Sequence, residues 1–177
     1  MNLMEVTSRE YKDGVAKELA AVDLDSYQLD AIDGRLLKYV SGVVGHPDDH
    51  NLFELLAVKK FLRLMRTYVF RASKIKSFAR LYEGLKFSGM DGRKCYRLTP
   101  IQYFQFASIK GFYRWEDVGS AEGEPDKEGK TKKVVDGRRY ELRRLVREAI
   151  LYVPRKFSKT TSTASLAVDE FLFGDMN

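Results

Sequence analysis

The sequence predicts a mixed α/β chain, with a helical N-terminal segment over residues 1–92 and the start of an α/β domain over residues 93–177. Three observations lead there. Apolar side chains recur at helical spacing through the first half of the chain, and a turn-rich break falls at Ser88-Gly89-Met90-Asp91-Gly92. Beyond it a short apolar run, Ala149-Ile150-Leu151-Tyr152-Val153, has the length and β-branched content of a buried strand.

Taken in order, Val15, Leu19 and Val22, then Leu29, Ile32, Leu36, Tyr39 and Val40, predict two short helices over residues 8–45. The stretch Gly45-His46-Pro47-Asp48-Asp49-His50-Asn51 combines a helix stopper, a proline and capping side chains, so it reads as a loop from which a helix starts near Leu52. The pattern is helical from Phe53 to about Ala72, with Phe61, Leu64, Met65 and Tyr68 on one face and Lys59, Arg63 and Arg66 on another. That basic face could meet DNA phosphates, while a solvated helix surface is its more ordinary reading. Ser73 to Lys86 continues the helical spacing through Ile75, Phe78, Ala79, Tyr82 and Leu85. Leu98-Thr99-Pro100-Ile101-Gln102 places a proline at the opening turn of a helix that runs to Gly111, with Gln102 in its first turn. Residues 116–136 hold few apolar groups and read as an exposed loop or hairpin tip.

Apolar residues at 44% and charged residues at 32% describe a chain that can offset its own entropy with a core, as soluble globular proteins do. No run approaches the ~20 apolar residues of a membrane span, and the acidic start is unlike a secretory leader. A cytoplasmic protein without a membrane partner is the resulting expectation. Cys95 has no second cysteine to pair with, and His46 and His50 are two loop histidines without a ligand set around them. With 31 Lys+Arg against 25 Asp+Glu, a net charge of +6 and a pI near 9.3, polyanions such as nucleic acid are suitable partners.

The segment with chemical potential follows the apolar run: Pro154-Arg155-Lys156-Phe157-Ser158-Lys159-Thr160-Thr161, then a helical pattern from Ser162 to Phe173. Strand, loop, Lys-Thr and helix is the context of a phosphate-binding loop. Amides at the helix start point at the anion, a lysine reaches the outer phosphates and a hydroxyl holds magnesium. The glycine pattern of such loops is broken twice, by Val153 and by Ser158. Lys-Thr at a helix start is also an ordinary surface feature, and Asp169-Glu170, inside the helix after the loop, read as an acidic patch on its face.

The order Leu98-Thr99-Pro100-Ile101-Gln102, Phe104 to Phe112, Arg138-Arg139-Tyr140, and Val153 to Thr160 resembles the opening of tailed-phage terminase large subunits. The resemblance covers roughly residues 94–173 and implies a helical segment followed by the truncated start of a P-loop NTPase domain. It implies ATP and Mg2+ as ligands, with Gln102 reading adenine and Pro154, Arg155, Lys156, Phe157, Ser158, Lys159, Thr160 and Thr161 forming the nucleotide loop. In the family's terms Lys159 and Arg155 are the catalytic cations, Arg155 acting as sensor or cis finger, and Thr160 is the magnesium ligand. The implied task is ATP-driven DNA packaging in a bacterial host cell. The implied partners are double-stranded DNA, the terminase small subunit, the portal or procapsid, and further copies in a ring. With 17 residues after Thr160, the Walker B acids and the nuclease carboxylates are not in this sequence, so the chain by itself is expected to hydrolyse ATP slowly or not at all.

Two other readings compete. One is a non-enzymatic basic helical module that binds DNA or a partner, drawing on Arg138, Arg139, Arg143, Arg144 and Arg147 as a strand edge. The other is a helicase-like nucleic-acid-dependent ATPase, which would share the upstream glutamine but normally carries a fuller glycine loop.

Overall fold

A computed structural model describes residues 3–84, 97–120, 131–146 and 165–170. Among the described residues, helices α1 (Leu3–Ala20), α2 (Leu29–Ile32), α3 (Gly34–Gly45), α4 (Leu52–Thr67), α5 (Ala72–Gly84) and α6 (Pro100–Lys110) precede or flank a small sheet. The strands are β1 (Val69–Phe70), β2 (Phe112–Ser120), β3 (Lys132–Val135) and β4 (Arg138–Arg144). Residues 165–170 are helical. The described chain is thus α/β and mostly helical, with one four-stranded sheet in the order β1-β2-β4-β3, every pairing antiparallel.

Local chemistry accounts for the helix boundaries. The expected pair of helices over residues 8–45 is divided further, because Asp33 adopts extended backbone and its carboxylate accepts the Arg35 amide, so that α3 starts afresh. Asn51 caps α4 reciprocally: its side chain accepts from the Glu54 amide while Glu54 accepts from the Asn51 amide, and the helix starts at Leu52 as expected. Helix α4 does not reach Ala72. Its chain turns extended at Tyr68, and Val69 and Phe70 pair with Tyr113 and Phe112 instead of adding a helical turn. An aromatic and β-branched run gains more from a strand partner here than from helical continuation.

The segment expected as an exposed loop or hairpin tip over residues 116–136 is shorter than expected. Its ends belong to the sheet: β2 carries through to Ser120, and Lys132 to Val135 form β3. Asp136 and Gly137 both take positive φ, 50° and 73°, and so close a two-residue hairpin between β3 and β4. Strand β4 lies between β2 and β3, so its arginines line an interior strand of the sheet and not an edge. The predicted strand Ala149–Val153 and the loop from Pro154 to Thr161 lie outside the described residues, as do the turn at 88–92 and Cys95.

One buried cluster unites the helices. Val15 and Leu19 of α1, Leu36, Val40 and Val43 of α3, Leu55, Val58, Phe61 and Leu62 of α4, and Ile75, Phe78 and Tyr82 of α5 meet Leu98, Tyr103, Phe106 and Phe112. Residues on both sides of position 92 therefore share a core. At its centre Phe61 meets Phe70, Phe104 and Phe112 at ring separations of 5.8, 5.1 and 5.2 Å. Tilted and edge-to-face pairs of this kind add to the gain from burial.

Candidate functional site

Helix α6 carries Gln102, the predicted nucleotide residue that falls within the described residues. It is buried nearly all round: Gln102, Tyr103, Phe104, Phe106, Ala107 and Lys110 are each less than a tenth exposed. Its N-terminus is fixed twice. Thr99 caps it, its hydroxyl accepting from the Gln102 amide at 3.4 Å, while Gln102 Oε1 accepts from the Thr99 amide at 2.9 Å and from its hydroxyl at 3.0 Å. One residue earlier, the Leu98 amide donates to Glu83 Oε1 at 3.1 Å, and Glu83 is also ion-paired with Arg35. Arg35 in turn grips Asp33 through two guanidinium nitrogens, each at 2.9 Å, and lies 4.6 Å over the Tyr103 ring. The hydrogen bond from Arg35 holds the Asp33 carboxyl below its ordinary range. Burial, then the charge of Asp33, pushes the Tyr103 hydroxyl well above its own.

This arrangement refines what Gln102 can do. Its carboxamide oxygen has both acceptor positions engaged by Thr99, which leaves the Nε2 group as its remaining hydrogen-bonding function. The sequence suggested a residue able to donate and accept together. The Thr99–Gln102 pair spends the acceptor on the helix cap.

The other end of α6 carries Lys110, which sequence reasoning passed over, and pairs it with Asp169 and Glu170. Lys110 is only 4% exposed and Asp169 only 3%, and the two are ion-paired. Glu170 Oε2 accepts from Lys110 Nζ at 3.1 Å and from Arg144 Nη1 at 2.7 Å. Burial acts to raise the Glu170 carboxyl, but the hydrogen bonds from Arg144 and Lys110 outweigh it and hold the group below its ordinary range. The expected acidic patch at Asp169-Glu170 is therefore half wrong: Asp169 is an interior ion-pair partner of α6, and only Glu170 reaches the surface. A signal for this was present. Lys110 falls four residues after Phe106 and seven after Tyr103, on the apolar stripe, where a lysine needs a partner. Asp169 follows Ser165 by four residues, and both are buried.

Many of the basic side chains of β4, and some of α4, have partners within the chain. On β4, Arg138 meets Asp117 at 2.7 Å, Arg139 meets Glu141 at 3.4 Å, Arg143 meets Glu141 at 3.5 Å and Glu116 at 3.7 Å, and Arg144 meets Glu170 at 2.7 Å. On α4, Lys59 is ion-paired with Glu18, and the Arg66 guanidinium lies 5.0 Å over Tyr27. His50 stands 3.4 Å from Glu54, as a partner of the capping box. Among the described residues no group of His, Cys, Asp and Glu could hold a metal ion, and no helix is long and apolar enough to cross a membrane.

Of the sequence-predicted nucleotide residues, Gln102 is placed by the structure. Pro154, Arg155, Lys156, Phe157, Ser158, Lys159, Thr160 and Thr161 lie outside the described residues, and so does Arg147. No known family, curated protein or solved structure matches the chain.

Proposed function

We propose that the chain is the nucleotide-binding N-terminal portion of a DNA-packaging ATPase of the terminase large-subunit kind. One observation carries the reading beyond the order of its motifs. The helical stretch 165–170 is joined to the last turn of α6 through the Lys110–Asp169 ion pair, while Gln102 stands in the first turn of that same α6. Eight residues separate Gln102 from Lys110, about 12 Å at the helical rise. On this reading the buried helix would serve as common mount for the residue that would meet the base and for the helical stretch after the candidate phosphate loop.

The donor set suits an anionic nucleotide. ATP with Mg2+ would supply the phosphoanhydride whose hydrolysis drives DNA movement. Lys159 would neutralise outer-phosphate charge, the Thr160 hydroxyl would ligate the ion, and Arg155 would add a second phosphate-facing cation. Pro154, Lys156, Phe157, Ser158 and Thr161 would shape the loop and offer it backbone donors. Gln102 would donate from Nε2 to a ring-nitrogen acceptor of the base. Double-stranded DNA, a small terminase subunit, a portal or procapsid and further copies in a ring are the partners this reading proposes, in the cytoplasm of an infected or lysogenic bacterial host.

The reading as a basic binding module draws less support, because the arginines of β4 spend their charge on Asp117, Glu116, Glu141 and Glu170. The test is titration of the chain with a fluorescent ATP analogue and Mg2+, beside Lys159→Ala. Loss of a charged hydrogen-bonding partner is worth ~1.5–3 kcal/mol, so affinity should fall roughly tenfold or more. Equal binding by both proteins would remove the chemistry of the proposal. DNA affinity that falls with salt and ignores Lys159→Ala would favour the binding module instead.

A further inference from the structure

We infer that the outward face of α4 is a nucleic-acid contact, on which Lys60, Arg63 and Arg66 hold the phosphate backbone of a duplex without reading its sequence. All three side chains are exposed, and none has an ion-pair partner among the described residues. The contrast with β4 is one of pairing. There Arg138, Arg139, Arg143 and Arg144 each have a carboxylate at 3.5 Å or closer. On α4 the one acid, Glu54, is engaged at the far end of the helix by the Asn51 cap and by His50, and Lys59 is the cation that finds a carboxylate, in Glu18.

Spacing turns three charges into a surface. Lys60, Arg63 and Arg66 follow one another at three-residue intervals, away from the stripe of Leu55, Val58 and Leu62 that anchors α4 in the core. The Arg66 guanidinium is further steadied 5.0 Å over the Tyr27 ring. From Lys60 to Arg66 the helix rises about 9 Å, and a duplex carries one charge per ~1.7 Å of its axis. A helix fixed by its buried side therefore presents its cations to several phosphates at once, and each contact gains free energy by releasing condensed counterions. The contact draws on no residue of the phosphate loop. With Lys159-dependent nucleotide binding it is the DNA-facing surface of the proposed packaging ATPase; without it, the surface of a basic binding module. Phe53, 81% exposed in the first turn of α4, is the feature that a second copy of the chain would use in place of DNA.

The experiment titrates the whole chain with a short fluorescent DNA duplex of arbitrary sequence at several salt concentrations. Wild type is expected to bind with an affinity that falls as salt rises. Lys60→Gln with Arg63→Gln, confined to an exposed face, should keep the melting temperature within a few degrees. It should make the slope of log affinity against log salt shallower by about 1.8 and weaken binding roughly tenfold or more near about 0.1 M salt. Lys38→Gln with Arg80→Gln removes the same net charge from exposed, unpaired positions of α3 and α5 and should leave both readings near wild type. Equal losses in the two pairs would reduce the effect to net charge and overturn the assignment, and so would an α4 pair that binds as wild type does. Wild type that binds no duplex overturns it too, and self-association abolished by Phe53→Ser would then identify the face as a contact between copies. The nucleotide reading is judged apart from all of these, by the ATP-analogue titration with Lys159→Ala.

Discussion

Gly111 joins the last turn of α6 to β2, and adding one methyl group there should be among the most damaging small changes in the chain. Its φ of −81° is open to any residue, so the glycine is not required by backbone conformation. Space requires it. A Cβ at this position would stand 2.2 Å and 2.8 Å from two ring carbons of Phe70 and 2.5 Å from the carbonyl oxygen of Ala107. None of these can withdraw. The Ala107 oxygen accepts the Gly111 amide at 2.9 Å, the Gly111 carbonyl accepts the Arg71 amide at 2.8 Å, and the Phe70 ring is packed between Phe61 and Phe112 at 5.8 and 5.1 Å. Gly→Ala at a permissive site stabilises by ~0.4–1 kcal/mol through the unfolded chain. Overpacking a close-fitted interior costs ~1–3 kcal/mol, and with backbone on one side of the clash the upper end applies. At ~2–4 °C per kcal/mol for a domain of this size, Gly111→Ala should lower the melting temperature by about 6–12 °C. Calorimetry or a circular-dichroism melt checks it. An unchanged or raised melting temperature would refute the packing argument at the junction that carries Lys110.

Other consequences follow from the same contacts. Thr99→Ala removes the reciprocal cap of α6 and should cost ~1 kcal/mol in chemical denaturation; a variant as stable as wild type would show the cap to be idle. Phe61→Ala empties the centre of the aromatic cluster and should cost ~3–5 kcal/mol, while a loss below 1 kcal/mol would mean that the rings do not pack as described. Burial, then the charge of Glu54, pushes the Tyr39 hydroxyl from its ordinary 10.0 up to about 12. A raised folded-state value favours the neutral form on folding, so this stabilisation is fully present below the ordinary value and is lost as pH rises towards about 12. The stability difference between wild type and Tyr39→Phe should therefore shrink across that alkaline window, and a difference that stays constant would contradict it.

The helices were legible where their punctuation is local. Asn51 with Glu54, and Thr99 with Pro100 and Gln102, are cap signatures written within four residues, and the structure uses both as caps. The sheet was obscured by its charge. One face of β2 and β4 is built from Arg114, Arg143, Glu116 and Glu141, so composition argues for a loop although Tyr113, Trp115, Tyr140 and Leu142 alternate on the other face. Asp136-Gly137, the commonest kind of two-residue hairpin turn, was a signal in plain view. The end of α4 at Thr67 was not legible locally, because Val69 and Phe70 leave the helix for partners more than forty residues away. The Lys110–Asp169 pair joins residues about sixty positions apart, and periodicity could show that each was buried but not that they meet.

The proposal that the chain binds a nucleotide beside α6 is tested most directly by hydrogen exchange on the whole chain with and without Mg2+ and ATP. The account predicts added protection at two separate places together, the first turn of α6 around Gln102 and the stretch from Lys159 through the helix at 165–170. Exchange that is unchanged at both, or altered only in the β2–β4 hairpin, would contradict it.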